Sequence, residues 1–130
     1  MTVLVPFKTL ADRFPQLLST RGEHAALREE VVGLIKMMLA SVRVDDAWYR
    51  RRYPDVSAAV DAGEYQSTRH HFIEHGYFEN RLPCRLSIDE TWYIQSNGDV
   101  LAGIRNGEIE SAEEHFNQYG YAEGRLPFRL

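Results

Sequence analysis

His70, His71, His75 and Cys84 offer the ligand types that hold transition metals. His71 and His75 stand four residues apart, which on a helix puts two imidazoles on one face, as many zinc sites require. Two other sets could also do chemistry. Glu79 with Arg81, and Glu123 with Arg125, bring together carboxylates and guanidinium groups. Two carboxylates at a suitable separation can run acid–base hydrolysis. Trp48-Tyr49 and Trp92-Tyr93 are aromatic pairs of a kind that stacks on sugar faces.

The elements that must position these residues are repeated. Sliding the chain by 44 residues lays 44–86 on 88–130 without a gap, and nearly half of the positions are then identical. The matched pairs include Asp45/Asp89, Trp48/Trp92, Tyr49/Tyr93, Asp55/Asp99, Gly63/Gly107, Ser67/Ser111, His71/His115, Gly76/Gly120, Glu79/Glu123 and Arg81/Arg125. Each copy closes with Leu-Pro-x-Arg-Leu. A repeat of this period belongs to the helical-array class.

The duplication sorts the candidate chemistry. Opposite His75 stands Tyr119, and opposite Cys84 stands Phe128, so the second copy keeps one metal-ligand candidate and loses the others. A metal site needs its whole ligand set, so no metal is expected. His71 and His115 are expected to be structural, with a ring nitrogen bonded to a neighbouring carboxylate or carbonyl. Glu79 and Glu123 are equivalent by duplication, whereas an acid and a base need different environments. No nucleophile elbow, phosphate loop or dinucleotide fingerprint is present. The expectation is therefore no enzyme, no catalytic residue and no cofactor. Arg81 and Arg125 should satisfy carbonyls at a helix end, or pair with Asp55 and Asp99. Val44 and Ile88 precede the tryptophans by four residues, which predicts that Trp48 and Trp92 are core. Tyr49 and Tyr93 are expected to be more open, with wet hydroxyls. Tyr49, Tyr93, His71, His115, Arg81 and Arg125 are the candidate interaction residues.

Local punctuation predicts three short helices per copy. Asp45 and Asp89 are good N-caps, with Asp46 and Glu90 adding charge in the first turn. Pro54 suits the first position of a second helix, and Asn97 offers a cap before Gly98. Gly63 and Gly107 are expected to end that helix in the left-handed conformation. Ser67 and Ser111 should start the third, Ser111 with Glu114 as a capping box. Gly76 and Gly120 should end it, and Pro83 and Pro127 prevent its resumption. No stretch alternates with period two. The fold class is all-α: an N-terminal helical segment, 1–43, then two tandem three-helix repeats, 44–86 and 88–130, related by a pseudo-two-fold in one compact domain.

The retained pattern is Trp-Tyr-x4-Pro-Asp-Val, Gly-Glu, then Ser-x3-His-Phe-x3-Gly-x2-Glu-x-Arg-Leu-Pro. It resembles a short module found repeatedly in bacterial proteins. That module occurs beside glycosyltransferase and methyltransferase domains of surface-polysaccharide pathways, and in large secreted calcium-binding repeat proteins. The resemblance covers about residues 44–130. It implies a place in polysaccharide machinery but no activity of the module itself. Two departures stand out: Asn80 replaces the usual Gly of Glu-Gly-Arg, and Gly98 replaces the usual Pro.

The N-terminal segment differs in kind. Phe7, Leu10, Phe14 and Leu17 recur at helical spacing, with Pro15 as a breaker. A longer helix is expected over 23–42, with two apolar seams: Leu27, Val31, Leu34 and Met38, and Val32, Ile35, Leu39 and Val42. A surface helix needs one stripe, so one seam should face the repeats and the other a second copy of the protein. The alternative is that 7–18 folds back over the second seam. Charge narrows the partners. The net formal charge is −4 and uneven: residues 87–130 alone carry −5, with eight Asp and Glu against three Arg. Such a chain repels phosphate backbones, so nucleic acid is not expected. The run Arg50-Arg51-Arg52 spreads around a helix and is expected to be a solvated face. The most apolar stretch, 31–42, is too short to span a bilayer. Cys84 is alone, and the first residues lack a signal-peptide pattern, which fits a reducing, cytoplasmic location. The functional expectation is a self-associating helical adaptor that meets another protein. The alternative is a carbohydrate-binding module using the aromatic residues.

Overall fold

The computed structural model describes residues 5–16, 18 and 25–130, and every regular element among them is helical. The chain divides into two compact units, Met1–Cys84 and Arg85–Leu130. No helix among the described residues is long and apolar enough to cross a membrane.

In the first unit, α1 spans Phe7–Arg13 and α2 spans Ala25–Leu39. Then follow α3 (Asp46–Arg52), α4 (Pro54–Asp61) and α5 (Thr68–His71). α5 widens directly into a π-helical turn at Phe72–Gly76. The second unit holds α6 (Glu90–Ser96), α7 (Gly98–Arg105) and α8 (Ala112–His115), with its own π-helical turn at Phe116–Gly120. The expected helix starts hold. Asp45 and Asp89 accept from the backbone N–H of Trp48 and Trp92, each at 3.0 Å. Ser67 and Ser111 accept from the N–H of His70 and Glu114. Pro54 opens α4, where its missing N–H costs nothing. Asn97 departs from its expected cap. Its amide donates instead to the Tyr93 carbonyl, and its side-chain oxygen accepts from Arg125.

Each repeat is closed by a backbone bond from its N-cap aspartate to the proline beyond its π-helical turn. Asp45 N–H donates to the Pro83 carbonyl, and Asp89 N–H to the Pro127 carbonyl, both at 3.0 Å. Among the described residues the left-handed positions are Gly63 and Gly107, as expected, and then Asn80 and Gly124. Gly76 and Gly120 end the third helix as expected, at the last residue of its π-helical turn and without a left-handed φ. Asn80 holds the conformation of a cap glycine at φ 58° and adds something a glycine lacks. Its side-chain oxygen accepts from Lys8 N–H at 2.8 Å, satisfying one of the free donors at the start of α1.

The first unit's core gathers Leu39, Tyr49, Val56, Phe72 and Tyr77, with Phe7, Leu10, Ile35, Val42 and Ile73 packed against it. Phe7 meets the Phe78 ring edge-on at 5.0 Å, and the Tyr77 hydroxyl donates to the Val5 carbonyl. Thus α1 and one seam of α2 share the core built by the first repeat. The expected 23–42 helix is shorter: α2 stops at Leu39 and a turn follows. Positions 23 and 24, like Leu17, lie outside the described residues. α1 ends at Arg13, ahead of Pro15, and Phe14 is exposed.

Candidate functional site

The aromatic pairs sit the opposite way from expectation. Tyr49 and Tyr93 are completely buried, and Trp48 and Trp92 are half-buried. The error lies in the helix start. Val44 and Ile88 precede the N-caps and so are not one helical turn before the tryptophans. Inside α3 the inward line instead begins at Tyr49, whose ring lies 4.7 Å from that of Tyr53. The hydroxyls expected in water have partners inside: Tyr49 Oη lies 3.0 Å from His71 Nδ1, and Tyr93 Oη lies 3.0 Å from His115 Nδ1. His71 and His115 therefore bond to a phenol, and neither takes the carboxylate or carbonyl expected for it.

Each phenol needs room, and the glycines supply it. A Cβ at Gly76 would collide with Tyr49 Oη, and one at Gly120 with Tyr93 Oη. Gly76 and Gly120 end the two π-helical turns and are retained for this close approach. In the turn that follows, Tyr77 N–H reaches back five residues to the Phe72 carbonyl, and Tyr121 N–H to that of Phe116. Burial lowers the pKa of both imidazoles, with the nearby guanidinium of Arg81 or Arg125 adding to it. Burial also raises both phenols, that of Tyr93 to about 12. Each pair is a neutral hydrogen bond at ordinary pH.

Beside each pair lies an arginine clamp. Arg81 holds Asp55 through both terminal nitrogens at 3.1 and 2.8 Å, and its Nε donates to Glu79 at 2.7 Å. Arg125 repeats this on Asp99 at 2.9 and 2.7 Å and on Glu123 at 2.7 Å. The fork geometry holds the Asp99 carboxyl down at about 2 and lowers that of Asp55 as well. The copies differ at one neighbour. Tyr53 lies under the Arg81 guanidinium at 4.9 Å and accepts from Leu82 N–H, whereas Asn97 accepts directly from Arg125.

The remaining candidates are spread out. His70, His71 and His75 surround the Tyr65 ring, with His71 closest at 4.8 Å between centroids. Cys84 is half-buried near Asp45 and Arg43, and burial raises its thiol. Among the described residues no three His, Cys, Asp or Glu side chains form a metal-holding group. In the second unit Ile109 stands at the position of Tyr65. A cleft of about 230 Å³ opens there, lined by Glu108, Ile109, Glu114, His115 and Tyr119, among others. Arg85 occupies two of the nearby carboxylates, those of Glu113 and Glu114. Of the Arg50-Arg51-Arg52 run, Arg50 pairs with Asp46 and Asp61.

Sequence reasoning missed Asn117. It is buried, and its amide brackets Leu86, donating to the carbonyl at 2.8 Å and accepting from the N–H at 2.9 Å. The first copy has Ile73 at that position, packed on the core. A polar residue replacing an aliphatic one on a retained helix was the available signal.

The two α2 seams have opposite fates. Leu39 is buried, and Ile35 and Val42 pack on the core, with Val32 half-buried beside them. Lys36 fastens this side to Glu74 of the π-helical turn at 2.7 Å. Leu27, Leu34 and Met38 are 42%, 58% and 66% exposed, and the neighbouring Met37 is 76% exposed. Val31 is half-buried between them. This chain matches no protein-family model, no curated protein and no solved structure.

Proposed function

We propose that this protein is a non-catalytic helical assembly module that self-associates and holds another protein. The observation that carries the reading is the outward face of α2, where Leu27, Leu34, Met37 and Met38 are exposed together. Apolar side chains grouped in this way mark an interaction surface more often than scattered ones do. The retained polar residues of the repeats support the same reading from the other side. Tyr49 and Tyr93 bond to His71 and His115, and Arg81 and Arg125 bond to Asp55 and Asp99. These groups serve the fold of each 44-residue unit, which we read as one folding unit duplicated.

The sugar-platform alternative loses Tyr49 and Tyr93 to burial and would rest on the half-buried Trp48 and Trp92. A role beside bacterial surface-polysaccharide machinery rests on the resemblance of the repeat, and a cytoplasmic place on the single Cys84 and the first residues. Light scattering tests the assembly reading. Wild type should be a dimer at 100 µM, and Leu34→Glu/Met38→Glu should be a helical monomer. Val32→Glu/Leu39→Glu, on the core side, should unfold the first unit. A monomeric wild type at 100 µM would remove self-association from the account.

A further inference from the structure

We propose that α2 pairs antiparallel with the α2 of a second copy about a two-fold axis crossing between residues 32 and 33. This sets Leu27 against Met38 of the second copy, and Val31 against Leu34. The proposal rests on the self-association reading above and specifies its geometry.

The helix projection comes first. At about 100° per residue, Leu27, Val31, Leu34, Met37 and Met38 fall within an arc of about 120°. Ile35 and Leu39 lie about 100° and 140° from the centre of that arc, on the neighbouring side where the core cluster is. α1 is not free to cover the outer arc, because Phe7 and Leu10 pack against that same core. The outer face therefore calls for another molecule, and the sequence along it points to a second copy of itself.

The spacing of Leu27, Val31, Leu34 and Met38 is four, three, four, which reads the same in either direction along the helix. A seam of that form pairs with itself head to tail with every apolar residue matched. Charge selects the same direction. Glu30 is the charged residue within the arc. A parallel pair would set the two Glu30 carboxylates side by side. The antiparallel pair separates them by five residues along the axis, about 7.5 Å at 1.5 Å per residue, and lays each beside Met37 of the other copy. Opposed helix dipoles favour that direction as well. Four side chains per copy fall short of the roughly 800 Å² per partner of a standard interface. The pairing is accordingly a reversible one in the micromolar range.

Disulfide trapping in a Cys84→Ser background tests the register. Leu27→Cys/Met38→Cys should form a covalent dimer on mild oxidation, and a mixture of the two single variants should cross-link between unlike chains. Within one chain the two sites are about 16 Å apart on the helix, too far to bridge. Neither single variant should cross-link to itself. A self-linked Leu27→Cys dimer would mean a parallel pair and overturn the proposal. No cross-link in the mixture, with dimers still present by light scattering, would overturn the register and leave self-association standing. Wild type that is monomeric at 100 µM would remove both. A charge swap checks the pairing without cysteine. Val31→Glu and Leu34→Lys should each weaken association at least tenfold, with helicity unchanged, and the combined variant should regain most of it. A combined variant no tighter than either single would contradict the pairing of Val31 with Leu34.

Discussion

The two units use the same internal parts, and they differ most in what is laid over those parts. Both have a fully buried tyrosine bonded to a histidine over a glycine, an arginine clamp on an aspartate, and a closing bond from the N-cap aspartate to a proline carbonyl. The first unit adds α1 and α2, and its Ile73 and Val42 pack into the enlarged core. The second has Asn117 where Ile73 stands, and the amide bonds the incoming strand of chain at Leu86. A buried polar residue is tolerated there because each of its bonds is met. The lesson is that the residues kept by both copies are those the unit needs to fold. Among the described residues, four of the seven exposed large apolar side chains lie together on α2, an element that only one copy carries.

The largest test of that shared frame is to empty its centre. Tyr49→Ala or Tyr93→Ala should each cost about 3–5 kcal/mol, the usual loss for deleting a buried ring. Trp48→Ala and Trp92→Ala, half-buried, should cost about half as much or less. Urea denaturation of the four variants decides it, and equal losses would contradict the assignment of the tyrosines as the core. Next in size is the glycine beneath each phenol. Gly120→Ala should destabilise by about 1–3 kcal/mol through overpacking against Tyr93 Oη. Adding Tyr93→Phe should make the pair less costly than the sum of the singles. Strict additivity would break the link between the two residues.

Acidification gives a smaller effect common to both copies. His71 and His115 have folded pKa values below the ordinary 6.5, so the unfolded chain takes up protons first as pH falls. Their contribution to stability is complete above about pH 6.5 and declines as pH drops below it toward the folded values. A melting temperature that stays flat from pH 7.5 to 5 in wild type would contradict the neutral Tyr–His pairs. The smallest effect belongs to the clamps. Asp55→Asn and Asp99→Asn should each cost about 0.5–1 kcal/mol, because the carboxylates are largely exposed. Their stabilisation is present above about pH 4 and is lost as pH falls toward the depressed values of the two carboxyls. Chemical denaturation at pH 7 measures the substitutions.

Much of this frame was legible in the sequence. The aspartate and serine caps, Pro54, and the left-handed Gly63 and Gly107 follow from local rules that act within a few residues. For Arg81 and Arg125 the sequence left helix-end carbonyls and Asp55 or Asp99 as alternatives, and the structure takes the aspartates. What was not legible depended on distant contacts. The burial of Tyr49 over Trp48 turns on whether Val44 lies inside the helix, and one residue of boundary reverses the inward face. The role of Gly76 cannot be read from its neighbours, because the group it admits is 27 positions earlier in the chain. The same holds for Asn117, whose partner at Leu86 lies in a connector without periodicity. The two seams of α2 were visible as a pair, but choosing the outward one required knowing where the first repeat's core sits.

The central claim is that the outer face of α2 is where this molecule meets another copy, while the repeats serve as scaffold. Hydrogen–deuterium exchange at about 1 µM and 100 µM protein tests it most directly. Peptides covering 25–39 should gain protection at the higher concentration, with peptides from 44–130 unchanged. Exchange in α2 that is independent of concentration, or protection gained instead in the repeats, would contradict it.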